Sequence, residues 1–174
     1  MVGIGTVLTD NPMLNCRIEN GRNPIRIVCD SKLRIPLDCN ICKTANEIST
    51  LVVSAIENPE KQSELEKMGV KTLILPDKNG KVDLKKLMQY LGEKSIDSVL
   101  IEGGGTLAYS ALQSKIVSHI YSYIAPKIFG GENAKTPVES VGVETPDDCF
   151  KLKRTNVREL GSDILIEYDV LEVQ

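Results

Sequence analysis

The sequence predicts an α/β fold: a mostly parallel sheet with helices on both faces and an antiparallel hairpin at the C-terminus. Short apolar runs alternate with segments of helical spacing through the first two thirds of the chain, which is typical of parallel strands joined by helices. The last third changes to alternating polar and apolar residues, as in antiparallel strands. The 174 residues, 41% of them apolar and 26% charged, indicate one ordinary globular domain.

The first half of the chain predicts three strands and two helices. The apolar runs 25–29, 50–54 and 71–75 are expected to be strands. A polar helix is expected over 59–68. Asp83 is expected to cap a second helix, because a short carboxylate can accept a hydrogen bond from the first-turn N–H groups. The apolar residues that repeat at helical spacing behind this cap are Leu84, Leu87, Met88 and Leu91.

The second half predicts a central strand and a terminal hairpin. Residues 99–101 are all apolar, as expected for a central strand covered on both faces of a sheet. Residues 119–125 alternate between polar and apolar types. The segments 150–160 and 163–171 also alternate and flank the tight turn Gly161-Ser162, which predicts an antiparallel hairpin.

Composition argues against several functional classes. A net charge of −3 with interspersed signs gives no reason to expect binding to nucleic acid or to an anionic membrane. We find neither an apolar run of membrane-spanning length nor a secretory signal, so a cytoplasmic protein is expected. Cys39 and Cys42 are closely spaced, but a zinc site needs four ligands and His119 is distant. We expect loop thiols in a reducing compartment and no metal.

The segment Glu102-Gly103-Gly104-Gly105 is the strongest candidate for ligand binding. It follows an apolar run and precedes a segment that is expected to be helical. Glycines let a ligand approach the main chain, and free N–H groups at a helix N-terminus favour phosphate. Glu102 lies where a carboxylate could accept a hydrogen bond from a second ligand. The segment therefore predicts a nucleotide site.

A second candidate lies at the N-terminus. Residues 1–8 are expected to be the end of a buried strand that enters a loop, followed by a turn at Asp10-Asn11-Pro12. The small residues around Thr6 could bring its hydroxyl and the backbone against a phosphate or a nicotinamide ribose. Tight packing is an equally good interpretation of the same residues.

Two further polar residues follow predicted structural boundaries. Ser31, with Lys32 and Arg34 close by, ends a strand where an acid would favour a ribose 2′-OH and a hydroxyl or base favours a 2′-phosphate. A solvated turn is the alternative. Arg17 could clamp a substrate phosphate bidentately, although an ordinary surface arginine fits as well.

Catalytic side chains of the common nucleophilic classes are not apparent. The sequence contains neither a Ser/His/Asp or Cys/His arrangement nor a phosphate-loop lysine motif nor a zinc-deaminase signature. Hydride transfer needs no protein nucleophile, because the cofactor carries the chemistry. A glycine-rich site with few catalytic side chains is typical of such a reaction.

Four ordered blocks, 3–17, 24–36, 99–107 and 123–131, together resemble the reductase domain of the bifunctional riboflavin-biosynthesis deaminase–reductase, a member of the dihydrofolate reductase-like fold. The resemblance implies reduction of the ribosyl group of 5-amino-6-(5-phosphoribosylamino)uracil to a ribityl chain with NADPH, by a homodimer. Alternatives are an NADPH-dependent reductase of another small substrate and a catalytically silent nucleotide-binding remnant.

The resemblance also assigns site residues. It implies that Thr6 and Asp10 lie at the cofactor, with Asp10 also managing a proton near the reacting carbon. Ser31 would meet the 2′-phosphate of NADPH, Leu14 and Arg17 the phosphoribosyl group, and Glu102 the pyrimidine or ribose end. The residues that would cradle the pyrophosphate are Gly104, Gly105, Thr106, Leu107, Ala108, Tyr109 and Ser110.

The chain departs from the family pattern at its N-terminus. The family's reductase domain begins with a further strand and helix that carry part of the site, and a deaminase domain accompanies it. We therefore expect residues 1–174 to form a single reductase domain that lacks these elements. Apolar edges of the sheet are expected to be exposed, and catalytic competence would depend on what covers them.

Overall fold

A computed structural model describes residues 1–128, 130–132 and 134–171, and its first sheet consists of four parallel strands. The strands follow one another in chain order across this sheet, and every pairing is parallel. They are β1 (Val2–Gly3), β2 (Arg26–Cys29), β3 (Thr50–Ser54) and β4 (Val70–Ile74). All residues of β2 and β3 are buried, as expected of central strands that are covered on both faces.

Helices cover both faces of the parallel sheet, as predicted. They are α1 (Ile4–Asp10), α2 (Asn40–Lys43), α3 (Pro59–Lys67), α4 (Leu84–Glu93) and α5 (Gly105–Gln113). Successive strand residues point to opposite faces, so Val28 and Val52 join the core cluster that contains α1, α2 and α3. Ile27 and Leu51 join the cluster that contains α4 and α5.

The predicted helix starts are confirmed. The Asp83 side chain accepts a hydrogen bond from the Lys86 N–H at 3.1 Å, which caps α4. Asn58 caps α3 in the same way through the Lys61 N–H, at 3.0 Å. Three of the four apolar residues predicted for the inner face of α4 are buried, and Met88 packs against the same cluster. The expected strands within 25–29, 50–54 and 71–75 are also present, displaced by at most one residue at an end.

The predicted hairpin is confirmed, but it does not form an edge of the parallel sheet. A separate antiparallel sheet has the order β5-β7-β6 and contains β5 (His119–Ile124), β6 (Leu152–Leu160) and β7 (Asp163–Val170). Among the described residues, no strand pairs with strands of both sheets. Local alternation identifies antiparallel strands, but their partners depend on where the long connection 125–151 leads.

Two expectations for the start of the first sheet were wrong. Residues 1–8 do not enter a loop: β1 ends at Gly3, and α1 begins at once because Ile4 and Val7 lie one helical turn apart and bury their side chains in the core. Asn11 caps the C-terminus of the helix: its φ of 43° is left-handed, and its N–H donates to the Val7 carbonyl at 3.0 Å.

Residues 99–101 do not form a central strand either. Residues 100–103 run alongside β1 through the hydrogen bonds from Met1 N to Leu100 O, 2.7 Å, and from Glu102 N to Met1 O, 3.0 Å. This segment lies at the edge of the described sheet, and Leu100 is 60% exposed. The apolar composition of 99–101 predicted a strand with a neighbour on each side, whereas among the described strands only β1 lies beside this segment.

Cys39 and Cys42 are buried core residues and not incidental loop thiols. Cys39 precedes the first turn of α2, Cys42 lies within it, and both belong to the first core cluster. The Cys42 thiol donates to the Cys39 sulfur, which lowers the pKa of Cys39 to about 6 and raises the pKa of Cys42. In the described ranges we find no group of three metal-ligating side chains and no helix long and apolar enough to cross a membrane.

Candidate active site

A cavity of about 520 Å³ lies beside β1 and the helix α1 that follows it. Four of the predicted site residues, far apart in sequence, meet there. The lining residues are Val2, Thr6, Pro12, Leu14, Asn15, Arg17 and Glu102. The structure therefore brings together Thr6, which was predicted to contact the cofactor, and all three predicted substrate residues.

The glycine segment lies directly beside this cavity. Gly104 precedes α5 with φ 86° and ψ 102°, a backbone conformation that L side chains rarely adopt. A Cβ atom on Gly103 or Gly104 would lie 3.3 or 3.5 Å from the Thr6 hydroxyl oxygen, so the Thr6 side chain packs against bare backbone. Thr6 therefore links the cavity to the glycine segment.

The first turn of α5 has the donors that a phosphate needs. The first intrahelical hydrogen bond that we find runs from Ala108 N–H to Gly104 O, at 3.0 Å. In the part of the chain that the structure describes, the N–H groups of Gly105, Thr106 and Leu107 have no acceptor, as is usual at a helix start. Free N–H groups with the positive end of the helix dipole fit a pyrophosphate.

Most side chains of the predicted segment 104–110 are used inside the protein. Leu107 is buried in the second core cluster, and the Ser110 hydroxyl donates to the Thr106 carbonyl at 2.8 Å. The buried Tyr109 donates its hydroxyl to the Gly142 carbonyl at 2.7 Å. The contribution of this segment to ligand binding therefore rests on the backbone of its first turn. Assignment of the whole segment to the cofactor stays a prediction.

Ser31 follows β2 at the carboxyl edge of the sheet. Its hydroxyl oxygen accepts a hydrogen bond from the Val82 N–H at 3.2 Å, so the hydroxyl proton remains available to a ligand. Lys32 and Arg34 are exposed on either side of the buried Leu33. Two cations next to a free hydroxyl proton suit a phosphate group, and the 2′-phosphate assignment of Ser31 stays a prediction.

Asp30, directly before Ser31, is fully buried. Its Oδ2 accepts from the Ile35 N–H at 2.8 Å. Its Oδ1 has no hydrogen-bond partner among the described residues; the Arg34 Nε lies 3.6 Å away, which is an ion-pair distance but too long for a hydrogen bond. Burial raises the pKa of this carboxyl. Asp30 thus holds the turn that presents Ser31 and Arg34.

Asp10 is the predicted site residue that the cavity does not include. It is the last residue of α1 and is exposed, and in the described ranges its side chain has neither a hydrogen bond nor an ion pair. The adjacent Asn11 is instead held firmly: its Oδ1 accepts from the Asn40 N–H, and its carbonyl accepts from the Asn40 Nδ2, each at 2.8 Å. The proposed proton role of Asp10 stays a prediction.

Sequence reasoning missed the residues that support the cavity. Asn40 was not singled out because its partner Asn11 is 29 positions away. Arg26 was treated only as part of a strand. Its signal was present, since an arginine in the apolar run 25–29 has to bury its charge or interrupt the strand.

The fold and the cavity together define an α/β domain with a parallel sheet and a candidate ligand site beside its first strand. The model of the RibD C-terminal domain family matches residues 1–166, and the chain belongs to this family. It is similar to a riboflavin biosynthesis protein RibD of Actinobacillus pleuropneumoniae, with 47% identity over 98% of this chain and 46% of the relative.

Further relatives support the same family and fold. The 2,5-diamino-6-ribosylamino-4(3H)-pyrimidinone 5′-phosphate reductase of Methanothermobacter thermautotrophicus is 36% identical over 98% of this chain and 78% of the relative. The solved structure of Acinetobacter baumannii RibD superposes with a TM-score of 0.82 at 28% identity, over 98% of this chain and 46% of that one. The fold is thus dihydrofolate reductase-like, and the chain spans about half the length of the RibD proteins that it matches.

Proposed function

We propose that this chain forms a reductase domain that uses NADPH to reduce the ribosyl group of 5-amino-6-(5-phosphoribosylamino)uracil to a ribityl chain. One observation carries the proposal: Thr6 lies between the glycine segment and the cavity that holds Arg17 and Glu102. A phosphate cradle on one side of Thr6 and a cation–carboxylate pair on the other suit a dinucleotide next to a phosphorylated, hydrogen-bonding substrate. The names of the relatives support the same reaction class.

The chain's own residues would bind and orient the two ligands. The first-turn N–H groups of α5 bind the pyrophosphate, and Ser31 with its neighbouring cations binds the 2′-phosphate. Arg17 and Leu14 hold the phosphoribosyl group, while the Glu102 carboxylate accepts a hydrogen bond from the pyrimidine or ribose. Asp10, at the end of α1, would manage the proton that balances reduction. NADPH, when bound, supplies the hydride.

Cofactor choice provides the first test. Titration followed by nicotinamide fluorescence is expected to show that NADPH binds more tightly than NADH by about tenfold or more, the worth of one charge-assisted phosphate contact. Ser31→Asp is expected to remove that preference, because a carboxylate repels the 2′-phosphate of NADPH and accepts a hydrogen bond from the 2′-OH of NADH. Ser31→Ala is the matched control: it should weaken NADPH alone, since it adds no acceptor.

Equal binding of both cofactors by the wild-type protein would contradict the Ser31 assignment. If folded protein bound neither, the reductase proposal would fail, and the nucleotide-binding remnant would fail with it. Binding of NADPH without turnover of a phosphoribosylamino-pyrimidine would instead favour the silent remnant or a reductase of another small substrate.

The second candidate substrate is the diaminopyrimidinone counterpart, 2,5-diamino-6-ribosylamino-4(3H)-pyrimidinone 5′-phosphate. The Methanothermobacter reductase of that name aligns with 98% of this chain, and this observation favours the candidate. The two substrates differ in the pyrimidine ring and share the ribose phosphate. Comparison of kcat/KM for the two compounds decides between them, and the uracil is expected to be preferred because the RibD relative is more similar.

We propose a homodimer that buries an apolar patch of the antiparallel sheet. Ile124 pairs with Ile164 across β5 and β7, and Val157 pairs with Ile166 across β6 and β7, on one face. Ile124, Val157 and Ile164 are 48%, 49% and 41% exposed. Such contiguous apolar side chains favour association with another surface, and a second copy is the occupant that the family resemblance implies.

Sedimentation tests the assembly. The 19.1 kDa chain is expected to sediment as a dimer, and Ile164→Asp is expected to yield a monomer because a carboxylate would be buried in the interface. A monomer at every wild-type concentration would contradict the dimer.

A cytoplasmic location belongs to the same proposal, since all five cysteines are free thiols, and fractionation of cells would test it.

A further inference from the structure

Arg26 carries a buried charge that the proposed reaction does not use. It is the first residue of β2, and only 1% of its surface is exposed. Among the described residues it has no carboxylate partner. A buried guanidinium without a counter-ion is costly, so its hydrogen bonds must satisfy its donors. Its position is therefore informative about what those bonds hold in place.

The hydrogen bonds of Arg26 divide into two groups. Most of them bind the crossover between α2 and β3, and one leaves that crossover. The crossover acceptors are the Thr50 hydroxyl (3.0 Å from Nε and 2.7 Å from Nη2), the Thr44 hydroxyl (2.8 Å) and the carbonyls of Ile41 (2.9 Å) and Ile48 (3.0 Å). The remaining bond runs from Nη1 to the Met13 carbonyl, at 3.1 Å.

Met13 lies within the segment 12–17, which supplies Pro12, Leu14, Asn15 and Arg17 to the lining of the cavity. The next residue, Leu14, has a φ of 49°, a left-handed conformation that is strained for a leucine. Strain of this kind persists only where surrounding contacts impose it. Leu14 lines the cavity and packs against the first core cluster, and Arg17 lines the same cavity three residues later. The Met13 carbonyl is thus anchored immediately before the strained turn.

We propose that Arg26 is a positioning residue for the substrate: its bond to the Met13 carbonyl holds the strained Leu14 turn so that Leu14 and Arg17 face Glu102 across the cavity. The inference rests on the proposed function, because it takes Leu14 and Arg17 as the substrate contacts. A second hydrogen bond fixes the other end of the segment: the Cys16 N–H donates to Asn23 Oδ1 at 2.9 Å. The segment is therefore held at both ends.

Only an arginine can make this set of contacts. Its planar fork presents five N–H donors in fixed directions, so it can bind the crossover and the Met13 carbonyl at once. Lysine keeps the charge but has three donors at one point, and a lysine bound to Thr50 would leave the Met13 carbonyl without its partner. Desolvation lowers the pKa of Arg26, although a guanidinium stays protonated in proteins.

Arg26→Lys tests the proposal. We expect the KM for the phosphoribosylamino-pyrimidine to rise by about tenfold, the worth of one hydrogen bond to a charged group. The kcat and the Kd for NADPH are expected to stay within about twofold, because the glycine segment does not contact Arg26. Amide hydrogen exchange should accelerate in residues 12–17 of the ligand-free protein. Arg154→Lys, on the exposed strand β6, is the control and should change none of these quantities.

Two results would overturn the proposal. The first is an unchanged KM together with unchanged hydrogen exchange in residues 12–17. The second is an equal loss of affinity for the substrate and for NADPH, which would mark Arg26 as a general support of the fold. If Arg26→Lys does not fold, Thr44→Val replaces it. That variant removes the other acceptor of Nη1 and should raise exchange in residues 12–17, and unchanged exchange would count against the proposal. Absence of wild-type turnover would refute the proposed function alone, since hydrogen exchange still reports on the Leu14 turn.

Discussion

Replacing Arg17 with alanine is expected to raise the substrate KM by about 10- to 100-fold, because each hydrogen bond to a charged group contributes about 1.5–3 kcal/mol. Arg17 lines the cavity and is exposed. In the described part of the chain its guanidinium has no hydrogen bond or ion pair, so all five donors are available for the substrate phosphate. Its loss should therefore leave stability almost unchanged.

Steady-state kinetics and a cofactor titration measure this effect. The Kd for NADPH is expected to remain that of the wild type, because Arg17 lines the cavity and is not part of the glycine segment. Arg17→Lys should fall between the wild type and Arg17→Ala, since lysine keeps the charge and loses bidentate geometry. A KM that alanine does not change would remove Arg17 from the site, and a matching rise in the NADPH Kd would move it to the cofactor side.

Replacing Gly104 with alanine is expected to weaken NADPH binding by about tenfold or more and to lower the free energy of unfolding by about 1–3 kcal/mol, the cost of holding a side chain in a disfavoured conformation. Glycine adopts a φ of 86° readily, whereas alanine is strained there. The new Cβ would also lie 3.5 Å from Thr6 Oγ1 and 3.8 Å from Leu107 Cβ. A shift that relieves the strain would turn the first N–H groups of α5 away from the pyrophosphate.

Gly80→Ala separates the two effects of that substitution. Gly80 also has a left-handed φ, 71°, but a Cβ there would meet no atom within 4 Å, and the residue lies in the turn before α4. Thermal unfolding should show a lower Tm for both variants, whereas fluorescence titration should show weaker NADPH binding for Gly104→Ala alone. Wild-type NADPH affinity in Gly104→Ala would contradict the phosphate cradle.

Local features could be predicted from the sequence. The cap at Asp83 and the turn at Gly161 need only neighbouring residues, because a capping bond reaches two or three positions along the chain. The apolar runs of β2 and β3 likewise indicated strands. The glycine segment was predicted as a phosphate cradle from its own composition, and the structure gives it a helix start with free N–H groups.

The candidate site was predicted in part through family resemblance. Thr6, Leu14, Arg17 and Glu102 were assigned to ligands before any distance was known, and the fold brings them to one cavity. Their own sequence context did not distinguish Arg17 from an ordinary surface arginine. Asp10 shows the limit of that approach, because its position at the end of α1 leaves it outside the cavity lining.

By itself, then, the sequence determined the strands β2, β3 and β4 and the starts of α3, α4 and α5, since each depends on side-chain periodicity or on bonds within a few residues. Only the tertiary structure decided that residues 4–10 form a helix, that 99–101 lie at a sheet edge, and that Arg26 reaches Met13. The physical reason is the same in all three: burial and satisfaction of buried donors depend on partners that are remote along the chain. The glycine cradle is a local structure, but the cavity beside it exists because distant segments pack together.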